Sequence, residues 1–407
     1  MPGNTKINSA VVGFSISSAF PKLGDEPKKG VNSQPCGCGA KAYFKGCCRK
    51  RLLSAVGEIE VGRRYYRCPQ CGQGLVPFDR WSGLGPGMST PAARRMLALA
   101  GMSWSFDTAS DRLAELCLLR VSNDTIRRVG QAEGQAAQRW MSQSPVPAER
   151  FQQAAGATEF YTDGVTVNTT GGWRDLRLNV FARREAGSPP TPRQWAESGR
   201  VLPEPGVRIA WASLAACEKQ GRDWRKMGRK LGVVDDESLS VLADGQRWIW
   251  DQAAGCWTKA QWVLDAFHVS EHLHDCGKVL RGEAGEQARA WSEAQMQRLI
   301  EIGPVQHLKE LKPLRGSGGV EGEKLQAVDG LIGYLEANRD SLWYRQRLAA
   351  GRPIGTGLIE GGCKTIVSNR RKINNPRWTD RHAEHMAALR CLDYSGLWSD
   401  FWLQRAA

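Results

Sequence analysis

Three acidic residues and two cysteine pairs are the residues of this chain whose types and spacing could do chemistry. Asp163 lies in the run 160–164, Asp244 in 241–245, and Glu360 at the end of 355–360. Each aspartate follows an apolar run and precedes a glycine, which suits a carboxylate shown at a strand end beside a backbone turn. Carboxylates gathered in this way suit phosphodiester chemistry. Two Mg²⁺ or Mn²⁺ ions about 3.5–4 Å apart can clamp the attacking and leaving oxygens, and three or four carboxylates suffice to hold them. Hard oxygen ligands select such ions over zinc. The competing reading is that each Asp-Gly pair is an ordinary turn.

The second constellation is thiolate. Of twelve cysteines, six fall between Cys36 and Cys71, and the other six are scattered singly. Cys36-x-Cys38 and Cys68-x₂-Cys71 could supply four sulfurs to one structural Zn²⁺. Twenty-nine residues separate the pairs, a longer gap than a common zinc ribbon has, and Cys47 or Cys48 could replace a member. Redox-sensing thiols or plain buried cysteines are the alternatives. The run 11–20 is loosely like a signal core, but only Lys6 precedes it and no small-residue cleavage site follows, so metal is expected rather than disulfides.

Charge is uneven. The chain of 407 residues carries 56 Lys and Arg against 42 Asp and Glu. Residues 1–80 are +8, residues 361–407 are +4, and the 280 between them are only +2. Basic ends around a near-neutral middle fit a protein that grips a polyanion. No apolar stretch approaches the ~20 residues that span a bilayer, so a cytoplasmic protein with no membrane partner is expected, nucleoid-associated when bound to DNA.

Elements that must position these residues follow from periodicity. Residues 1–34 read as a poorly ordered arm, 35–80 as a zinc-ribbon-like β module, and 88–150 as a helical DNA-binding region. Within that region 111–120 and 124–130 look like a helix-turn-helix, with Ser122 capping a second helix that presents Arg127 and Arg128. Strands are expected at 158–169, 176–183, 207–216, 239–243 and 261–264, a helix at 224–231, and helices from Val269 to Arg347 broken by a loop at 312–321. Three closely connected strands followed by βαβ crossovers predict a mixed α/β sheet with helices packed on it, in the order of an RNase H-like fold.

The motifs at 161–164, 243–250, 263–268 and 355–360, with the basic run 368–372 and Trp378, resemble those of DDE transposases of bacterial insertion sequences, the Kra-type group related to Mutator-like elements. The Cys36–Cys71 segment resembles that group's amino-terminal cysteine module, and the likeness runs from about Gln34 to Leu392. The resemblance implies an RNase H-like catalytic domain over 155–392, a helical insertion at 269–347, and a tail at 393–407. It implies that Asp163, Asp244 and Glu360 are catalytic and hold two Mg²⁺ or Mn²⁺ ions, with Asp163 bridging them. Asp265 and His268 match the group's D-x-x-H signature, and Asp265 rivals Asp244 as the second ligand. His268 could orient a water or phosphate, or be a packed histidine. The implied activity is binding of terminal inverted repeats, metal-dependent strand cleavage and strand transfer into target DNA, by a homodimer or higher oligomer. A zinc-ribbon DNA-binding protein that no longer cuts, and a two-metal nuclease without strand transfer, are the alternatives.

DNA contacts are expected from Arg63, Arg64 and Arg67, from Arg127 and Arg128, and from Lys364, Arg370, Arg371, Lys372 and Arg377. For every phosphate left without its cation, the slope of log affinity against log salt should fall by about 0.9. Neutralising Arg370, Arg371 and Lys372 together should therefore flatten that slope in a salt titration of DNA binding. An unchanged slope would make the run a solvated face.

Overall fold

The computed structural model describes residues 30–84, 87–198, 202–282, 285–369 and 377–406. Arg370, Arg371, Lys372 and the first 29 residues of the expected arm lie outside this set. Contacts divide the chain into a first unit, residues 1–135 with 398–407, and a second, residues 136–397.

The first unit opens with a four-stranded antiparallel sheet in sequence order: β1 (Ser33–Pro35), β2 (Lys41–Ser54), β3 (Gly57–Arg67) and β4 (Gly74–Leu75). A two-residue turn joins β2 to β3, and Gly57 takes the positive φ that closes it. Tyr66, Ala42, Cys36 and Cys68 form a small core at one end of this hairpin, with Phe44 and Leu75 packed on it. After α1 (Pro77–Trp81) come α2 (Pro91–Ser103), α3 (Phe106–Cys117) and α4 (Asn123–Gln143). Their starts are specified locally. The hydroxyls of Thr90, Ser105 and Ser122 accept from the backbone N–H groups of Ala93, Thr108 and Thr125. Leu97, Leu113, Leu119 and Ile126 make the core of this helical part. The buried Glu133 of α4 pairs with Arg94 of α2 and with Arg405.

The second unit begins with the end of α4, then α5 (Val146–Gln153) and a five-stranded mixed sheet: β5 (Ala157–Thr169), β6 (Gly172–Arg184), β7 (Val207–Ser213), β8 (Ser240–Ala243) and β9 (Gln261–Leu264). The spatial order is β7-β6-β5-β8-β9, antiparallel from β7 to β5 and parallel from β5 to β9. Residues 158–162 of β5 are all buried, as in a strand covered on both faces. Past Asp163 only alternate residues, Val165, Val167 and Thr169, are buried. Phe160, Phe181, Trp224 and Trp257 fill the core on one side, with ring centroids 4.8–6.1 Å apart in contacting pairs. Short helices α6 (Pro192–Ser198), α7 (Cys217–Leu231) and α8 (Arg247–Ala254) connect the strands.

A helical block then separates β9 from the acidic helix: α9 (Ala266–Arg281), α10 (Glu286–Ile302), α11 (Pro304–Leu311), α12 (Glu323–Ala337) and α13 (Tyr344–Ala349). Its far end is tied to the sheet by the buried Arg347, which donates to Ser240 Oγ at 2.8 Å, Gln261 Oε1 at 2.7 Å and the Pro353 carbonyl at 2.7 Å. Next come α14 (Gly357–Gly362), continued by a π-helical turn over Cys363–Ser368, and α15 (Asp380–Tyr394), which packs on β7.

The expected mixed α/β sheet with packed helices is present. Several expectations change. The residues expected as the tail contain helix α16 (Trp398–Ala406), which belongs to the first unit by its contacts. Ser33 and Gln34, expected in the arm, pair with β2. The second helix of the helix-turn-helix pattern runs 21 residues rather than stopping at Gly130. Asp163 and Gly164 lie inside β5, within the strand expected at 158–169, rather than at its end: β5 continues to Thr169, and Gly164 pairs with Arg177. The hairpin with β6 keeps the ladder going after the parallel neighbour has ended. No helix among the described residues is long and apolar enough to cross a membrane.

His307 of α11 is fully buried, with Nε2 3.0 Å from Gln295 Oε1 of α10, and burial pushes its pKa down to about 4. The unfolded chain therefore takes up this proton first as pH falls, so the stability tied to neutral His307 is whole above about pH 6.5 and lost progressively toward pH 4. The loss should reach roughly 3 kcal/mol at most. Denaturant titrations from neutral pH to about pH 4 should show it in the parent and much less in His307→Gln. Parallel curves would contradict the assignment.

Candidate metal sites

The four cysteines singled out by spacing come together. Cys36 Sγ lies 3.5 Å from Cys71 Sγ, Cys38 Sγ lies 3.7 Å from Cys68 Sγ, and all four sulfurs fall within 4.8 Å of one another. Sulfurs about 2.3 Å from a tetrahedral zinc stand about 3.8 Å apart, so the set could hold a metal ion such as zinc. The backbone explains the convergence. Cys36 N–H donates to the Ala40 carbonyl and Cys68 N–H to the Gln73 carbonyl, folding each pair into a tight knuckle, with Gly39 and Gly72 at positive φ. The long gap between the pairs is taken up by the β2–β3 hairpin. Cys47 and Cys48 sit along that hairpin, opposite Arg64 and Arg63, and take no part in the cluster. The backbone N–H of Cys71 holds the Cys68 thiol down to about 7. The N–H of Gln73 favours the Cys71 thiolate too, but the thiols of Cys36 and Cys38 outweigh it and push Cys71 up to about 12.

The acids are placed by strand register. β5 and β8 pair up to Tyr161 opposite Leu242, and β8 and β9 up to Ala243 opposite Leu264. Two residues beyond the first pair lie Asp163 and Asp244, and one beyond the second lie Asp244 and Asp265. Continued past the last paired residues, this register brings the three aspartates to matching positions at the ends of neighbouring parallel strands, at the carboxyl edge where ligands of α/β sheets bind. Glu360 comes from α14, which packs on β5 and β6. That approach is close: a Cβ on Gly362 would meet Leu178 Cδ2 of β6 at 3.0 Å.

Each carboxylate has its own partners. Asp163 Oδ1 accepts from Gly164 N–H at 2.6 Å, and Cys363 Sγ donates to its Oδ2 at 3.6 Å. Asp244 accepts from both the backbone and the side-chain amide of Gln246, and Glu360 Oε1 accepts from Thr356 Oγ1 at 3.0 Å. Asp265 is buried and caps α9, its Oδ1 accepting from Phe267 N–H at 3.3 Å and from Thr356 N–H at 3.0 Å. Burial raises the Asp163 carboxyl above its ordinary range, and the charges of Asp244 and Glu360 add to the rise. Burial likewise raises Asp265, against the pull of its two N–H donors. Among the described residues only the cysteine set brings its ligand atoms within 4.8 Å of one another, so the carboxylates stand more openly.

Other groups at this edge were not singled out by sequence. Asp163, Asp244, Asp175, Arg177, Gln246 and Trp248 line a small cavity of about 100 Å³. The Arg177 guanidinium lies 5.1 Å over the Trp248 ring and donates to Cys217 Sγ at 2.9 Å. Gln246 and Trp248 closely follow Asp244 in sequence, but Arg177 reaches the acids only through its pairing opposite Gly164. His268 turns to Glu271 on its own helix, with Nδ1 3.1 Å from Oε2, and packs edge-on against His272. His272 in turn stacks on Tyr334 at 3.8 Å.

The basic residues divide. Arg63 is mostly buried and ion-paired with Asp79, and Arg127 and Arg128 both pair with Asp124. Arg64 lies 3.9 Å over the Phe44 ring. Arg67, Lys364 and Arg377 are exposed and have no carboxylate partner among the described residues, so these three are the freest for phosphate.

Purified without chelator, the protein should carry about one zinc per chain, and Cys68→Ala should lose the metal and unfold the β module. Elemental analysis with limited proteolysis of residues 30–75 checks both, and zinc near zero would remove the structural site.

Compared with protein-family models and with curated proteins, this chain matches none.

Proposed function

We propose that the protein is a transposase, and that its second unit is an RNase H-like catalytic domain in which Asp163, Asp244 and Glu360 are the catalytic acids. The observation carrying this reading is the in-register placement of Asp163 and Asp244 on adjacent parallel strands, with the Glu360 charge felt at Asp163. The strand order supports it, as does the helical block between β9 and the glutamate helix. Two Mg²⁺ or Mn²⁺ ions would supply, when bound, a clamp on the attacking and leaving oxygens of the phosphodiester.

The chain's own residues divide the remaining work. Asp163, on the central strand of the sheet, would serve both ions, with Asp244 and Glu360 holding one each. Asp244 is preferred over Asp265 because it is half-exposed and lines the cavity with Asp163, whereas Asp265 is buried with Oδ1 engaged by two backbone N–H groups. Asp265 acts as a positioning residue: through Thr356 it fixes the start of the helix bearing Glu360. The zinc-binding module and the helical region of the first unit bind the element ends. Two ends must be cut and joined together, which calls for a dimer or higher oligomer on DNA.

Asp163→Asn, Asp244→Asn and Glu360→Gln keep volume but each remove one negative charge from the metal site. Each should lower strand cleavage by about a thousandfold or more, while DNA binding without metal holds. Asp265→Asn keeps an oxygen acceptor and should cost far less than Asp244→Asn, while Asp265→Ala, which removes it, should cost more. The assay follows cleavage of a labelled element end and joining to a second duplex. Hydrolysis without joining would reduce the reading to a nuclease. Full cleavage by all three variants would refute the acidic site, and cleavage lost in Asp265→Asn but kept in Asp244→Asn would exchange the two aspartates.

A further inference from the structure

A second, larger cavity of about 780 Å³ in the second unit is lined in part by Glu360. Its volume lies within the range of roughly 300–1,000 Å³ typical of small-ligand sites. What lines it is unlike an ordinary core void. Trp195 and Phe267 form one wall, with ring centroids 5.7 Å apart, and Phe267 is 46% exposed despite its size. Arg208, Arg352 and Lys364 supply positive charge, and Glu360 is among the lining residues.

Two features show that this wall is built in. Phe267 closely follows the capping aspartate Asp265, so the hydrogen bonds of Asp265 to Phe267 and Thr356 fix where the ring stands. The ring lies flush on Gly355, where an added Cβ would meet it at 2.8 Å. Any other residue at 355 would displace the ring. The cations are also available. Among the described residues neither Arg352 nor Lys364 has a carboxylate partner, and Arg352 is held by donating to the Arg184 carbonyl at 2.8 Å. Arg208 lies over the Tyr394 ring at 4.7 Å, with only a long 3.9 Å approach to the exposed Glu204.

Aromatic faces beside unpaired cations are the chemistry that holds an unstacked nucleotide: the base stacks, and the phosphates meet the positive groups. The position of the cavity, sharing Glu360 with the acidic site, says which nucleotide. We propose that this cavity is a binding site for a single unpaired nucleotide at the end of a DNA strand, taken out of the duplex stack and held on Phe267 and Trp195 while the adjoining phosphodiester lies at the acids. The proposal rests on the transposase reading for its ligand. A free nucleotide shares the same chemistry and is the other possible source.

The test uses the full-length protein without divalent metal and two duplexes, one blunt and one carrying a single unpaired 2-aminopurine at a 3′ end. The unpaired base should be bound about tenfold more tightly than the blunt end, the worth of one stacked base, with its fluorescence quenched on binding. Phe267→Ala and Trp195→Ala should each erase most of that ratio, and Trp195→Phe should restore it. The ratio is internal to each variant, so a general loss of folding cannot imitate the result. Equal affinity for the two duplexes, or a ratio unchanged in both alanine variants, overturns the proposal. Free deoxyadenosine monophosphate that displaces neither duplex but is itself bound through Phe267 also overturns it, in favour of a free-nucleotide site. These failures leave the transposase reading standing if Asp163-dependent cleavage persists; failure to bind either duplex would end both.

Discussion

Like charge crowded at one sheet edge is the constraint around which the second unit is arranged. Asp163, Asp244 and Asp265 stand abreast on three neighbouring strands, and Glu360 is brought toward them by a separate helix. Carboxylates brought to the same sheet edge repel one another, the more so where little water lies between them. Folding alone gives no reason to build such a row; burial raises the Asp163 carboxyl, and the charges of Asp244 and Glu360 add to the rise. A divalent cation reverses the sign of that interaction.

The surroundings show how the row is tolerated. Asp265, the most buried of the three, is surrounded by backbone N–H groups and has become part of the scaffold that places Thr356 and the glutamate helix. Asp244 is turned toward Gln246, and Asp163 takes N–H from Gly164 and a thiol from Cys363. Arg177, held by Trp248 and Cys217, sets one positive charge beside the acids. Gly355 and Gly362 let α14 approach closely enough for Glu360 to be felt, and the same approach shapes the aromatic wall beyond it.

Much of this was legible in sequence, for identifiable reasons. Strand β9 was placed to the residue, and β5 and β8 nearly so, because buried parallel strands read as short apolar runs bounded by polar residues. The cysteine cluster was legible because thiolate pairs at knuckle spacing have few other uses. Strand β2 was not, since its half-buried positions 46, 48 and 50 hold Gly, Cys and Lys, which do not register as an apolar face, between the exposed Lys45, Cys47, Arg49 and Arg51. The turn reading of Asp163-Gly164 fails because β6 extends the ladder past the end of β8 and keeps both residues inside β5. Arg177 and Trp195 were invisible for a common reason: each acquires its place only through register or helix packing between segments distant in sequence. Phe267, though within the 263–268 motif, gains its wall position only against Gly355 and Trp195. The ion pair that engages Arg63 was hidden in the same way, whereas Asp124 stands three and four residues before Arg127 and Arg128, so their pairing was readable from helical spacing.

The central claim is that the carboxylate row is a divalent-cation site. Thermal unfolding of the zinc-loaded protein with increasing Mn²⁺ tests it most directly, because an ion bound only by the native state raises Tm as its concentration exceeds Kd. The account predicts a Mn²⁺-dependent rise for the parent and for Asp265→Asn, and little or none for Asp163→Asn and Asp244→Asn. A parent whose Tm ignores Mn²⁺, or a rise that survives loss of Asp163, would contradict it.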